Sequence, residues 1–168
     1  DACFTRGAVL LYRYLGDEHY RAIARDALGD TAASQYPEGC FGDQGGGSGI
    51  HQWGGYIVKP WMGFMAVGGM LDYLELFPED AELLACVRRF GEWLLRERGP
   101  HGAAQGWGYQ HLFRGGRKFH CFYSDKWLQL PSPDPWHQEY LARFMLFCAL
   151  RFNRREYFEA WEESWRAN

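Results

Sequence analysis

Five of the six histidines lie in two long segments rich in glycine and aromatic residues, or in the first turn of the helix predicted to follow. They are His51, His101, His111, His120 and His137. Imidazoles exchange protons near neutral pH and are therefore common acid–base groups. Because loops held by a rigid framework carry most binding and catalytic residues, the histidines mark these segments as the candidate functional part of the chain.

Tyrosine and tryptophan residues accompany the histidines in three clusters, which span 39–56, 105–111 and 119–139. A sugar ring has an apolar C–H face that stacks on an aromatic ring, and a rim of hydroxyl groups that needs hydrogen-bond partners. The composition of the clusters therefore favours a carbohydrate site. The alternative is that the aromatic residues only anchor the loops and that the glycine run near 45 is a flexible surface loop.

The candidate residues fall into two groups by chemistry. Histidines and tyrosines that can transfer protons are the candidate catalytic residues: His51, Tyr56, Tyr109, His111, His120, Tyr123 and His137. Residues that can stack on a sugar or hydrogen-bond to its hydroxyls are the candidate substrate-binding residues: Trp53, Trp107, Gln110, Asp125, Lys126, Trp127, Trp136 and Glu139. For His137, packing beneath Trp136 is as good an interpretation as proton transfer at the positive end of a helix.

Metal and cysteine chemistry are not indicated. The eligible ligands match no familiar zinc pattern: Cys40, His51, His111, His120, Cys121 and His137. No cysteine has an activating context, and no Gly-Lys-Ser/Thr follows the glycine run as a phosphate loop requires. The sequence therefore predicts neither a metal nor a cofactor.

The five cysteines are odd in number and contain no C-x-x-C pair, which argues against a disulfide framework. Cys86 and Cys148 lie in apolar helical segments and are predicted to be small core residues. Neither the redox compartment nor the localisation follows from these observations.

The elements that must position the two segments form a repeat. An apolar helix, a tight turn and a charged amphipathic helix occur three times, with turns near Gly16, Pro78 and Asn153. The apolar helix at 61–77 has only two charged residues and must be buried nearly all round, whereas the helix at 79–98 has a single apolar stripe. A buried helix followed by a half-exposed one indicates two concentric layers.

The predicted fold is therefore all-α, with three αα-hairpins at about 3–28, 60–98 and 135–167 in a single domain spanning 1–168. Hairpins of this kind stacked side by side give a solenoid or a closed α/α toroid, and we expect these three to form part of a toroid. Their inner helices are expected at 5–15, 61–77 and 136–152.

Two long linkers, 29–59 and 99–134, connect the hairpins. Each leads into the start of an inner helix, so both are expected at the same end of the layers. Short strands are expected around 107–113 and 118–123, where aromatic and polar residues alternate.

Charge and hydropathy exclude two classes of partner. The 18 basic and 21 acidic side chains leave a net charge of −3, which gives no reason to expect nucleic acid. No apolar run reaches about 18 residues, so no membrane partner is expected. The first residues contain neither a signal peptide nor an initiator Met, as in a mature secreted protein or a fragment.

An apolar inner helix, a tight turn, a charged outer helix and a long aromatic loop together resemble the six-hairpin glycosidase superfamily. The segments most similar in style are 59–65, 77–80 and 93–95. Members of that superfamily are α/α-toroid glycoside hydrolases, and related toroid domains occur in polysaccharide lyases. The resemblance implies a polysaccharide or oligosaccharide partner. It also implies six or so hairpins, so the three present here are expected to be joined by the remainder of a longer chain or by another chain.

Three functions are compatible with these residues. The histidines and tyrosines favour lyase-type β-elimination on a uronate-containing polysaccharide. Glycoside hydrolysis by paired carboxylates is the first alternative, with few carboxylates available: Glu38, Asp43, Asp125, Asp134 and Glu139. A non-catalytic helical-repeat domain that binds a glycan or a protein is the second.

Overall fold

The computed structural model describes residues 2–42, 55–101, 104–107, 110–114, 117–122 and 135–166. Helices α1 (Ala2–Leu15) and α2 (Glu18–Ala33) form the first hairpin, and α3 (Pro60–Leu76) and α4 (Ala81–Glu97) the second. Helices α5 (Pro135–Phe152) and α6 (Arg155–Arg166) form the third. The predicted all-α fold with three helical hairpins is thus confirmed. No described helix is long and apolar enough to cross a membrane.

The tight turns are formed by the residues that the sequence indicated. Gly16 has a φ of 67°, in the left-handed region that ends a helix, and the Asp17 carboxylate accepts a hydrogen bond from the His19 N–H at 2.9 Å. Helix α4 begins later than predicted. Its N-cap is Asp80, whose carboxylate accepts from the Leu83 N–H at 3.1 Å, so Pro78 lies in the turn and not in the helix.

Helices α1, α3 and α5 form an inner layer in which neighbours run parallel. The Thr5 side chain packs on Gly69, and the ring centroids of Tyr12 and Phe77 are 5.4 Å apart, so residue numbers in α1 and α3 increase together. Near the start of both α3 and α5, the ring centroids of Phe64 and Tyr140 are 5.6 Å apart. Because the helices start side by side, the linkers that precede α3 and α5 reach the same end of the layer.

Helices α2, α4 and α6 form the outer layer in the same parallel manner. Arg25 of α2 pairs with Asp80 at the start of α4, with 2.7 Å between Nε and Oδ2. On the other side of α4, Arg154 pairs with Glu92 at 3.3 Å, and the Tyr157 ring lies against Gly91. Each hairpin therefore stacks on the next in the same orientation.

The linkers contain short strands. β1 (Gly55–Val58) belongs to the first linker, and β4 (Gln110–Arg114) and β5 (Arg117–Phe122) to the second. These three form an antiparallel sheet in the order β1–β4–β5, whereas β2 (Gly99–His101) and β3 (Ala104–Gly106) pair separately. β4 and β5 confirm the strands expected in the second linker. β1, β2 and β3 were not predicted from the sequence.

Burial of the inner layer is less complete than the sequence indicated. Val67 and Met70 of α3 are fully buried, but Met62 and Met65 on another face of that helix are each 47% exposed. Tyr14 of α1 is 90% exposed. The described helices pack along both sides of α3 and behind it, which leaves the remaining face uncovered.

Three glycines of α3 differ in what an added Cβ atom would meet. A Cβ at Gly69 would lie 3.3 Å from Thr5 Cγ2 of α1, so this position does bring two inner helices together. A Cβ at Gly63 would lie 2.6 Å from the Phe90 ring of α4, which makes Gly63 a contact between layers. No described atom lies within 4 Å of a Cβ at Gly68, so this glycine does not bring two of the described helices together.

Gly63→Ala and Gly68→Ala are therefore expected to have opposite effects on stability. Alanine at position 63 forces the buried Phe90 ring to move and should cost about 1–3 kcal/mol. Alanine at position 68 gains helix propensity and should stabilise by up to about 1 kcal/mol. Urea denaturation of both variants measures the difference. Equal loss of stability in the two would show that the helix layers are not packed as described.

Two thiols confirm the prediction that they belong to the core. Cys86 and Cys148 are fully buried and form no disulfide. Burial penalises the thiolate and raises the pKa of Cys86 from an ordinary 9.0 to about 11. Burial also raises the pKa of Cys148 and takes that of Tyr157 to about 12. These groups stay protonated in the folded chain at pH values where the unfolded chain ionises.

When an acid has a higher pKa in the folded chain than in the unfolded chain, it contributes to the stability of the folded chain. That contribution is complete below the unfolded pKa and is lost as the pH rises through the folded pKa. We expect the melting temperature to fall between about pH 9 and pH 11, and to fall less steeply in Cys86→Ala. Val87→Ala removes a buried neighbour that does not titrate, so it should lower the melting temperature without changing the slope. Identical slopes in Cys86→Ala and the wild type would contradict the raised pKa.

Candidate functional site

The two linkers meet in one sheet, although they are far apart in sequence. β1 of the first linker pairs with β4 of the second, with Tyr56 opposite Phe113 and Val58 opposite His111. β4 in turn pairs with β5, where Leu112 lies opposite His120. Four candidate residues therefore belong to this three-stranded sheet: Tyr56, Gln110, His111 and His120.

The strand register separates these four residues. Successive residues of a strand alternate between the two faces of a sheet. Tyr56, Val58 and His111 therefore belong to one face, and Gln110 and His120 belong to the other. Val58 is fully buried, so its face is turned to the helical layers at that end of β1.

Three more candidates lie in the first turns of α5, where Trp136, His137 and Glu139 follow Pro135. α5 starts beside α3, and β1 leads directly into α3. We call this end of the hairpin stack, with the β1–β4–β5 sheet and the starts of α3 and α5, the linker end. The remaining candidates except Trp107 lie outside the described residues: His51, Trp53, Tyr109, Tyr123, Asp125, Lys126 and Trp127.

Trp107 anchors the second linker to α4 and is not placed to bind a ligand. Its side chain is fully buried, and the indole N–H donates a hydrogen bond to the Leu94 carbonyl of α4 at 2.8 Å. A buried ring cannot stack on a ligand, so the substrate-binding role predicted for Trp107 does not fit. The alternative weighed for the aromatic residues, anchoring of a loop, describes this one.

A second anchor, which was not predicted from the sequence, lies at the start of the first linker. The Gln35 amide donates to the Gly39 and Cys86 carbonyls, each at 2.9 Å, and accepts from Arg89 Nε at 2.7 Å. Cys40 and Phe41 are buried beside it, although both had been counted in an aromatic cluster of a flexible loop. The signal in the sequence was Gly39, whose φ of 100° fits a tight turn.

Glu38 is the carboxylate of the hydrolase alternative whose side chain the structure describes. Its backbone carbonyl accepts from Arg96 Nη2 at 2.5 Å, which ties the turn to α4. The Oε2 atom is buried with no hydrogen-bond partner among the described residues. Among the described side chains, no three His, Cys, Asp or Glu are grouped as a metal site requires.

Comparison with known proteins gives no relative. No family model, no curated protein sequence and no solved structure matches the chain. The fold and the linker end therefore define a stack of three αα-hairpins with its linkers gathered at one end. The resemblance to six-hairpin glycosidases stays a prediction.

Trp107→Phe tests the anchoring role. The change removes the hydrogen bond to Leu94 and leaves a small cavity, so it should destabilise the chain by about 1–3 kcal/mol in urea denaturation. Tyr140→Phe is the control, since Tyr140 is 42% exposed and loses only a hydroxyl group. If Trp107→Phe were as stable as the control, the second linker would not depend on this contact.

Proposed function

We propose that the chain is a carbohydrate-active domain that holds a uronate-containing polysaccharide at the linker end and cleaves it by β-elimination. The observation that supports this most is the pairing of β1 with β4. It joins two linkers rich in histidine and aromatic residues at the end where α3 and α5 begin. The hairpin stack is, in this proposal, a section of an α/α toroid.

The chemistry needs two proton transfers and no outside oxidant. A base removes the proton from C5 of the uronate ring, and the electron pair forms a double bond between C4 and C5. The bond from C4 to the glycosidic oxygen breaks, and an acid protonates the departing oxygen. Hydrogen-bond donors stabilise the negative charge that develops on the uronate carboxylate.

The strand register supports a division of roles. We assign the base to His120 and a carboxylate-binding role to the Gln110 amide, because the two belong to the sheet face opposite the buried Val58. Tyr109 and Tyr123 are the candidate acids. They are the sequence neighbours of Gln110 and Phe122, which lie opposite each other in the ladder.

The other candidate residues keep the roles that their chemistry favours. Tryptophans other than the buried Trp107 would stack on the sugar rings, and the acidic and basic side chains would bind hydroxyl and carboxylate groups. His51, His111, Tyr56 and His137 are further acid–base candidates. Their variants serve as comparisons with His120.

One experiment separates lyase, hydrolase and binding functions. The 168-residue chain is incubated with a panel of uronate polymers. Ultraviolet absorbance of unsaturated uronate and the number of new reducing ends are then measured in parallel. A rise in both indicates β-elimination, and new reducing ends without absorbance indicate hydrolysis. Retardation in gels that contain the polymer, without cleavage, indicates binding only. If the chain neither cleaved nor bound any of the polymers, the carbohydrate assignment would be contradicted.

Variants test the assignment of the base. His120→Gln should lower kcat by roughly a hundredfold or more, as loss of a general base does, with little change in melting temperature. His111→Gln is the matched control from the opposite face of the sheet, and we expect a much smaller effect on kcat. Equal losses in both variants, or a loss that follows the melting temperature, would contradict the assignment.

A further inference from the structure

One end of the hairpin stack has an uncovered apolar surface on α1. The side chains that form it are 44% to 90% exposed: Phe4, Leu10, Leu11, Tyr14 and Leu15. None of them is charged. The two charged neighbours pair across to α3, Arg6 with Asp72 at 2.6 Å and Arg13 with Glu75 at 3.6 Å. This surface, which we call the α1 face, is therefore turned away from the rest of the stack.

The α1 face is large for a monomeric protein. If a fully exposed large apolar side chain offers roughly 200 Å², the five residues expose on the order of 600 Å². That value lies at the upper end of the largest apolar patches on typical monomers. It also approaches the roughly 800 Å² that each partner contributes to a stable interface.

The opposite end of the stack has a second apolar surface, on α6. Phe158 and Trp165 are 45% and 62% exposed, with Trp161 between them at helical spacing. The pair of Arg98 with Glu163 marks the side of α6 that faces the end of α4. The three aromatic residues lie on another side of the helix. We call the exposed surface that these residues form the α6 face.

We propose that the chain associates head to tail with a second copy of itself, the α1 face of one copy packing on the α6 face of the next. Within the chain, the element that covers each side of a hairpin is another hairpin, as α3 covers α1 and α5 covers α3. The α1 face and the α6 face are both apolar, as are the surfaces through which the hairpins of the chain cover one another. In each such contact, one copy covers the exposed apolar face of its neighbour. This inference does not depend on the proposed function.

Two charge variants and their mixture test this arrangement in sedimentation equilibrium. Tyr14→Glu alters only the α1 face, and Trp165→Glu only the α6 face. Each variant alone should be monomeric, with association weakened roughly thirtyfold or more, because a charge would be buried at the contact. An equal mixture should form a heterodimer, since one unaltered face of each kind remains. Both positions are exposed, so circular dichroism should show unchanged helix content.

The result of the mixture distinguishes head-to-tail packing from the alternatives. If two α1 faces packed on each other, Tyr14→Glu would be monomeric, Trp165→Glu would still form dimers, and mixing would restore nothing. Met65→Glu is the control, because Met65 is 47% exposed but lies on the central hairpin, away from both faces. A wild-type chain that stays monomeric at high concentration, or a mixture that stays monomeric, would overturn the proposal.

Discussion

The packing of the second hairpin on the third and on the first linker depends on one buried side chain, Phe90 of α4. Its ring lies against Gly63 of α3, in a space that any larger residue at position 63 would fill. The same ring is 5.2 Å from Phe144 of α5, 5.6 Å from Phe41 of the first linker and 5.9 Å from Trp93, measured between centroids. Two hairpins and a linker thus meet at a single residue. The layers are held in register because no contact of Phe90 can change without the others.

The position of Phe90 also explains why the linkers share an end. The first linker is attached to α4 through Gln35 and Phe41, and the second through the hydrogen bond from Trp107 to Leu94. All these contacts lie in the part of α4 that follows Leu84. β4 begins three residues after the anchored Trp107, which reduces the conformational entropy lost when it pairs with β1. The outer helix α4 is therefore the support of the candidate site, although it supplies none of the candidate residues.

Much of the helical architecture could be predicted because its signals are local. Helix periodicity, the left-handed Gly16 and the Asp17 cap each depend on a few neighbouring residues. β1 was not predicted because four residues carry little pattern, and its partner β4 lies more than fifty residues further along the chain. The burial of Trp107 could not be predicted because composition does not distinguish a ring that stacks on a ligand from one that anchors a loop. The candidate residues of the linkers could be listed from the sequence, but their division between two sheet faces required the register.

The exposure of the α1 face and the α6 face could not be predicted from the sequence either. An apolar helix in the sequence predicts burial, but it does not say whether the covering element belongs to the same molecule. α3 is covered by helices on both sides, whereas Tyr14 on α1 remains open. Since neighbouring hairpins of the stack run parallel, a copy added head to tail in the same manner would have its linkers at the same end as the first. Such an assembly would place the linker ends of neighbouring copies side by side without covering the β1–β4–β5 sheet. A long polymer would then contact more than one linker end.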